Sequence, residues 1–277
     1  MKDRGSWKAR SLVCLLLALA VCLACAAADL LLPEASGSNV KKNGKLVADC
    51  SNTDQGYVMV KGAKSKKRLK VRVVSEAGKN RDTLNYDLNG DGEYEVYPFQ
   101  YGNRKYSVGL YENVSGKKYA EAGKISLNVQ MEDPNICFLY PNQYVNYNAE
   151  TECVVEAGKL CAGMTDPAQI YETVCDFVKK NFLYDYIKSV TVKAGVLPDI
   201  DGCWSTKMGI CQDLSAVTIA MLRSQGVPAR LMIGTLGSGT YHAWVTAIVN
   251  GEEKFFDPTV EVGAGSKDET YTTERYY

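Results

Sequence analysis

The stretch from Leu214 to Leu222 leaves the chain few options. Leu214, Val217 and Met221 recur on one side of a helix, and Ala216, Ile219, Ala220 and Leu222 fill in around them. A helix this apolar is expected to be buried. Gly226 and Pro228 end it in the order of a C′ residue followed by a helix breaker. At its front stand Gly209-Ile210-Cys211-Gln212-Asp213, so Cys211 lies at the helix start. Unpaired N–H groups there favour negative charge, and the thiol pKa is expected below its reference of about 8.5. The same N–H groups suit an oxyanion. A buried structural cysteine, or half of a disulfide with Cys203, is the plainer alternative.

The residues that follow bear on that choice. His242 is the only histidine in 277 residues. Ala229–Leu236 and Tyr241–Val249 read as strands, Asn250-Gly251 as a two-residue hairpin turn, and Glu253–Asp257 as the returning strand. Such a turn pairs Val249 with Glu252 and sets Trp244 opposite Asp257. His242 shares Trp244's face, so His242 and Asp257 become diagonal neighbours. A slip of one residue in the turn undoes this. A Cys, a His and an Asp at the edges of regular elements are the parts of a thiol nucleophile with its base and orienter.

Four blocks now resemble the transglutaminase-like family. They are Gly209-Ile210-Cys211-Gln212-Asp213, the helix end Met221 to Arg230, Tyr241-His242-Ala243-Trp244, and Phe256-Asp257-Pro258-Thr259. The helix leading into Asn181-Phe182-Leu183-Tyr184-Asp185 is similar to the family's first helix. The resemblance implies an α+β, papain-like core with the Cys helix packed on an antiparallel sheet. It implies Cys211 as nucleophile, His242 as base and Asp257 as orienter, with acyl transfer from a peptide bond or glutamine carboxamide through a thioester. Hydrolysis is favoured over cross-linking. Trp204 is a candidate on the oxyanion side, and Gln212 and Trp244 are candidates for the pocket. The alternatives are a peptidase acting on cell-wall peptides and a non-catalytic surface binding protein using the fold as scaffold.

The remainder sets the context. Lys2, Arg4, Lys8 and Arg10 precede an apolar run from Leu12 to Ala24, the pattern of an export signal over residues 1–28. Leu23-Ala24-Cys25 partly fits a lipidation site, so Cys25 is expected to anchor the protein to the cell-surface membrane; free secretion is the alternative. Residues 29–45 read as a tether. Residues 46–132 carry short alternating strands, such as Leu69, Val71 and Val73 against Lys70 and Arg72, and suggest an Ig-like β-sandwich. Asp87-Leu88-Asn89-Gly90-Asp91-Gly92 opens like a calcium loop, but Pro98 stands where the bidentate Glu belongs. It reads instead as a hairpin turn. Residues 133–148 read as a linker and 149–277 as the second domain, with Asp166-Pro167 starting a helix.

Lys+Arg and Asp+Glu both total 32, so no net field points to nucleic acid. Beyond the signal the chain keeps Cys50, Cys137, Cys153, Cys161, Cys175, Cys203 and Cys211. This odd set leaves one thiol free if the others pair. With one His and no C-x-x-C pair, no zinc or other cofactor is expected. The expected partner is a protein or peptide substrate.

Overall fold

The structure, a computed structural model, describes residues 30–277. The signal segment and Cys25 lie outside the described residues. The first half is β-rich, with strands β1 (Val40–Asn43), β2 (Leu46–Asp49), β3 (Tyr57–Lys61), β4 (Leu69–Ala77), β5 (Asn80–Leu88), β6 (Glu95–Pro98), β7 (Lys105–Ser115) and β8 (Lys118–Asn128). They form two four-stranded sheets, ordered β1-β2-β3-β6 and β5-β4-β7-β8. The period-two pattern has its expected cause. Leu69, Val71 and Val73 are buried while Arg72 is exposed, because alternate side chains leave opposite faces of a strand.

Three features of this half differ from the sequence reading. Val40–Asn43, inside the expected tether, is a strand that pairs with β2 through the turn at Gly44. The Asn89–Gly92 stretch is no hairpin turn. β5 pairs with β4 and β6 pairs with β3, so the stretch carries the chain from one sheet to the other. Ser65 N–H donates to Gly90 O at 2.9 Å and fixes it there. Residues 133–148 are a packed strap rather than a loose linker, with Cys137, Phe138, Tyr140, Val145 and Tyr147 buried.

The second half holds α1 (Glu152–Leu160), α2 (Pro167–Asn181), β9 (Leu183–Tyr184), α3 (Tyr186–Thr191), α4 (Ile200–Thr206), β10 (Met208–Gly209) and α5 (Cys211–Ser224). β11 (Ala229–Leu236), β12 (Tyr241–Val249), β13 (Glu252–Phe256), α6 (Pro258–Glu261) and β14 (Tyr271–Tyr276) follow. Asp166 caps α2 by accepting from Ala168 N–H, with Pro167 behind it. The main sheet runs β13-β12-β11-β14, antiparallel throughout. Helix α5 packs against β12 and β11 on one side and against α1, α2 and α4 on others. Every residue from Asp213 to Ser224 is buried, which is why its apolar positions wrap around the helix.

Arg223, near the end of α5, is 2% exposed. It donates to three backbone carbonyls: Ala229 at 2.9 Å, Tyr140 at 2.7 Å and Tyr277 at 3.0 Å. One guanidinium therefore ties the buried helix to the strap and to the end of β14. Burial pulls its pKa down to about 10, which leaves it charged at neutral pH.

Candidate active site

Cys211 is the first residue of α5, half-buried, after an Ile210 N-cap in extended conformation. Ile210 has no side chain to cap the helix, and Asp213 does that work from the third position. One Asp213 oxygen accepts Ile210 N–H at 3.0 Å and Lys188 Nζ at 2.8 Å; the other accepts Asp199 N–H at 3.0 Å. This fully buried carboxylate joins α3, the start of α4 and the front of α5. Gly209 makes the approach feasible. A Cβ there would stand 2.6 Å from Cys203 Sγ and 2.9 Å from Asp213 Cβ.

The hairpin register is the one the Asn-Gly turn dictates. Val249 faces Glu252 and Val245 faces Phe256, which sets Asp257 one step beyond, opposite Trp244. His242 Nε2 meets Asp257 Oδ2 at 2.7 Å. Both residues are nearly buried, His242 6% and Asp257 3% exposed. With Nε2 held by the carboxylate, Nδ1 is the ring nitrogen left for Cys211, which lies near enough to help raise the imidazole's pKa.

Asp257 has a second set of partners. It caps α6, its Oδ1 accepting from Thr259 N–H at 2.9 Å and from Val260 N–H at 3.4 Å. Tyr271, on β14, donates its hydroxyl to Oδ2 at 2.8 Å. Sequence reasoning missed Tyr271. The residue lies in a polar terminal strand, and only the pairing of β14 with β11 brings it over the hairpin. That pairing depends on Gly234, opposite His242 in the sheet, where an added Cβ would lie 1.9 Å from Thr272 O.

The electrostatics follow from these contacts. Burial opposes the charge on His242. Its hydrogen bond to Asp257, with the nearby Cys211 and the carboxylate's charge, nonetheless raises its pKa to about 9. Burial would raise Asp257, but the bonds from His242, Tyr271 and Val260 hold it below the ordinary carboxylate value. The sign of each linkage is fixed. The raised His242 contributes stability that is complete below its unfolded pKa and lost as pH climbs through about 9. The lowered Asp257 contributes stability present above its unfolded pKa and lost as pH falls through its folded one.

A cleft of about 570 Å³ opens beside the pair, lined by Tyr184, Tyr186, Ser238, Thr240, His242, Asp257, Thr259, Gly263–Ser266, Glu269 and Tyr271 among others. Cys211 is not in the lining, but His242 and Tyr184, whose pKa values it helps to raise, are. A cavity of about 620 Å³ between the strap and the β-rich half contains none of these residues.

The other candidates fall elsewhere. Trp204 does not line the cleft. Its indole packs on Phe177 and Phe182 at 5.9 and 5.8 Å, with Lys207 Nζ over its face. Trp204 faces inward because it lies on the buried side of α4 with Ile200 and Cys203. Donors for an oxyanion are available at the α5 start instead, where the Cys211 and Gln212 N–H groups precede the first intrahelical bonds. Gln212 donates to Val196 O at 3.1 Å and holds the loop before α4. Trp244 is buried and stacks behind His242, with centroids 6.3 Å apart at 18°. All seven described cysteines are free, and six are buried. The six buried ones are held as small apolar side chains.

Residues 157–256 match the family model of the transglutaminase-like superfamily core. An uncharacterised protein of Mycobacterium leprae, ML0607, is 29% identical over 136 residues, 45% of each chain. The chain thus spans less than half the length of that curated relative. Among solved structures, a candidate cysteine protease from Cytophaga hutchinsonii is 13% identical with a TM-score of 0.40, covering 78% of this chain and 80% of the other. The periplasmic domain of TgpA from Pseudomonas aeruginosa is also 13% identical, with a TM-score of 0.38 and coverage of 81% and 94%. On the family match, the chain carries a core domain of the transglutaminase-like superfamily over residues 157–256.

Proposed function

We propose that the protein is a thiol enzyme that cleaves amides by acyl transfer, with Cys211 as nucleophile, His242 as acid and base, and Asp257 as orienter. The buried 2.7 Å His242–Asp257 pair beside a cysteine at a helix start carries this reading. The Cys211 sulfur adds to an amide carbonyl carbon. The developing oxyanion accepts hydrogen bonds from the N–H groups at the start of α5. Protonated His242 gives its proton to the amine nitrogen, the C–N bond breaks, and a thioester remains. Water then adds to the thioester carbonyl while His242 takes a proton. The C–S bond breaks, giving a carboxylic acid and the free enzyme. Resolution by water is favoured because the cleft beside His242 is lined with hydroxyls and opens to solvent.

Labelling tests the nucleophile. Cys211 should react with iodoacetamide well ahead of the six buried cysteines, and His242→Ala should slow it by roughly tenfold or more by removing the base. Cys211→Ala should leave no acyl-enzyme by intact mass with peptide or glutamine-containing substrates. A labelling rate ordinary for an exposed thiol and indifferent to His242→Ala would sink the proposal.

A further inference from the structure

The cleft beside His242 is charged on one side only. Glu269 lines it, half-buried and with no ion-pair partner among the described residues, and no Lys or Arg lines it. The place of its carboxylate is fixed by two neighbours. A Cβ added at Gly237 would lie 3.8 Å from Glu269 Oε2, so the carboxylate rests against the β11–β12 turn bearing Ser238 and Thr240. On the other side it is close enough to Tyr271 to raise that phenol's pKa further, after burial and Asp257. The Thr259 hydroxyl, in a residue 5% exposed, also borders the cleft and has no partner. With His242 protonated and Asp257 ionised, their charges cancel and Glu269 leaves the cleft negative. A carboxylate at the cleft wall with no cation paired to it attracts an incoming cation.

We propose that this cleft is a cation subsite, and that the amine side of the substrate carries an ammonium or guanidinium group paired with Glu269. Hydroxyls of Thr259 and Thr240 accept the remaining N–H bonds. Tyr184 and Tyr186 offer aromatic faces on which a cation can rest. The inference rests on Cys211 being the nucleophile, since that makes this cleft the place where the amine portion sits.

Two thiol reagents of opposite charge test it without any knowledge of the substrate. Trimethylammonium-ethyl and sulfonatoethyl methanethiosulfonate both react with a thiolate, which attacks the sulfenyl sulfur, forms a mixed disulfide and expels methanesulfinate. Rates at Cys211 are followed by peptide mass in the wild type, Glu269→Gln and Glu269→Lys, each checked for folding by thermal melting. The cation-to-anion rate ratio is divided by that of free cysteine. The long-range field of the rest of the protein is common to all three proteins, so the change in the ratio on substitution reports the local field. The wild type should prefer the cationic reagent by about tenfold, the low end of electrostatic steering. Glu269→Gln should bring the ratio near one, Glu269→Lys should invert it, and added salt should shrink the wild-type preference. A ratio unmoved by either substitution, or an anionic preference in the wild type, overturns the subsite. Failure of the nucleophile reading looks different: all rates would be ordinary and unchanged by His242→Ala, whatever the charge ratio.

Discussion

Asp257→Asn should lower kcat/KM by about three to four orders of magnitude, the scale seen when a triad carboxylate becomes an amide and the imidazole takes the wrong tautomer. The fold should survive, because Oδ1 remains to accept the Thr259 N–H. The pH profile gives the sharper signature. Acylation needs protonated His242, whose pKa stands at about 9, so the alkaline limb of the wild type should fall near there. In Asp257→Asn the raising hydrogen bond and charge are lost while burial still disfavours the cation, so the limb must move to lower pH. Single-turnover rates against pH would show this. A limb that stays near pH 9, the value held by His242, would mean that Asp257 does not set the imidazole's protonation. The value belongs to the coupled Cys–His–Asp group rather than to one residue.

Arg223→Ala should be among the most destabilising single changes. It removes a guanidinium donating to Ala229, Tyr140 and Tyr277 carbonyls. The substitution strands buried acceptors and opens a cavity where the largest fully buried side chain stood. Losing buried polar partners costs about 1–3 kcal/mol for each unsatisfied group, so a total of roughly 4 kcal/mol or more is expected. Guanidinium denaturation would measure it. A loss below about 1 kcal/mol, the range of ordinary surface changes, would refute this account. Arg223→Met keeps much of the volume but none of the donors and should recover only part of the loss.

The sequence was most readable where the chain is most local. Asn250-Gly251 determines a two-residue turn, that turn determines the register, and the register alone brings His242 to Asp257. Gly209, Cys211, Gly226 and Pro228 likewise delimit α5 within a residue. What escaped depends on distant pairing. Tyr271 reaches Asp257 only because β14 docks on β11 at Gly234. Trp204, close to Cys211 in the chain and a candidate for the oxyanion side, turns inward on α4. The strap at residues 133–148 has a linker's composition, Pro and Asn included, yet its aromatic residues pack between the two halves. A further local signal is Gly44, which at φ 56° opens the two-residue Gly44-Lys45 turn between β1 and β2.

Asp257 serves two structures with one side chain. Its Oδ2 takes His242 and Tyr271, and its Oδ1 takes the first amides of α6. The short helix at the cleft wall is therefore latched to the imidazole. It cannot swing outward without loosening the carboxylate that holds the ring. The next stretch of the same wall is tied to that helix in turn, Gly263 N–H donating to Val260 O and Ala264 N–H to Thr259 O, both at 3.0 Å. The wall of the cleft and the aim of the imidazole are thus mechanically joined through one carboxylate, and a substrate bulky enough to displace the wall also disturbs the ring.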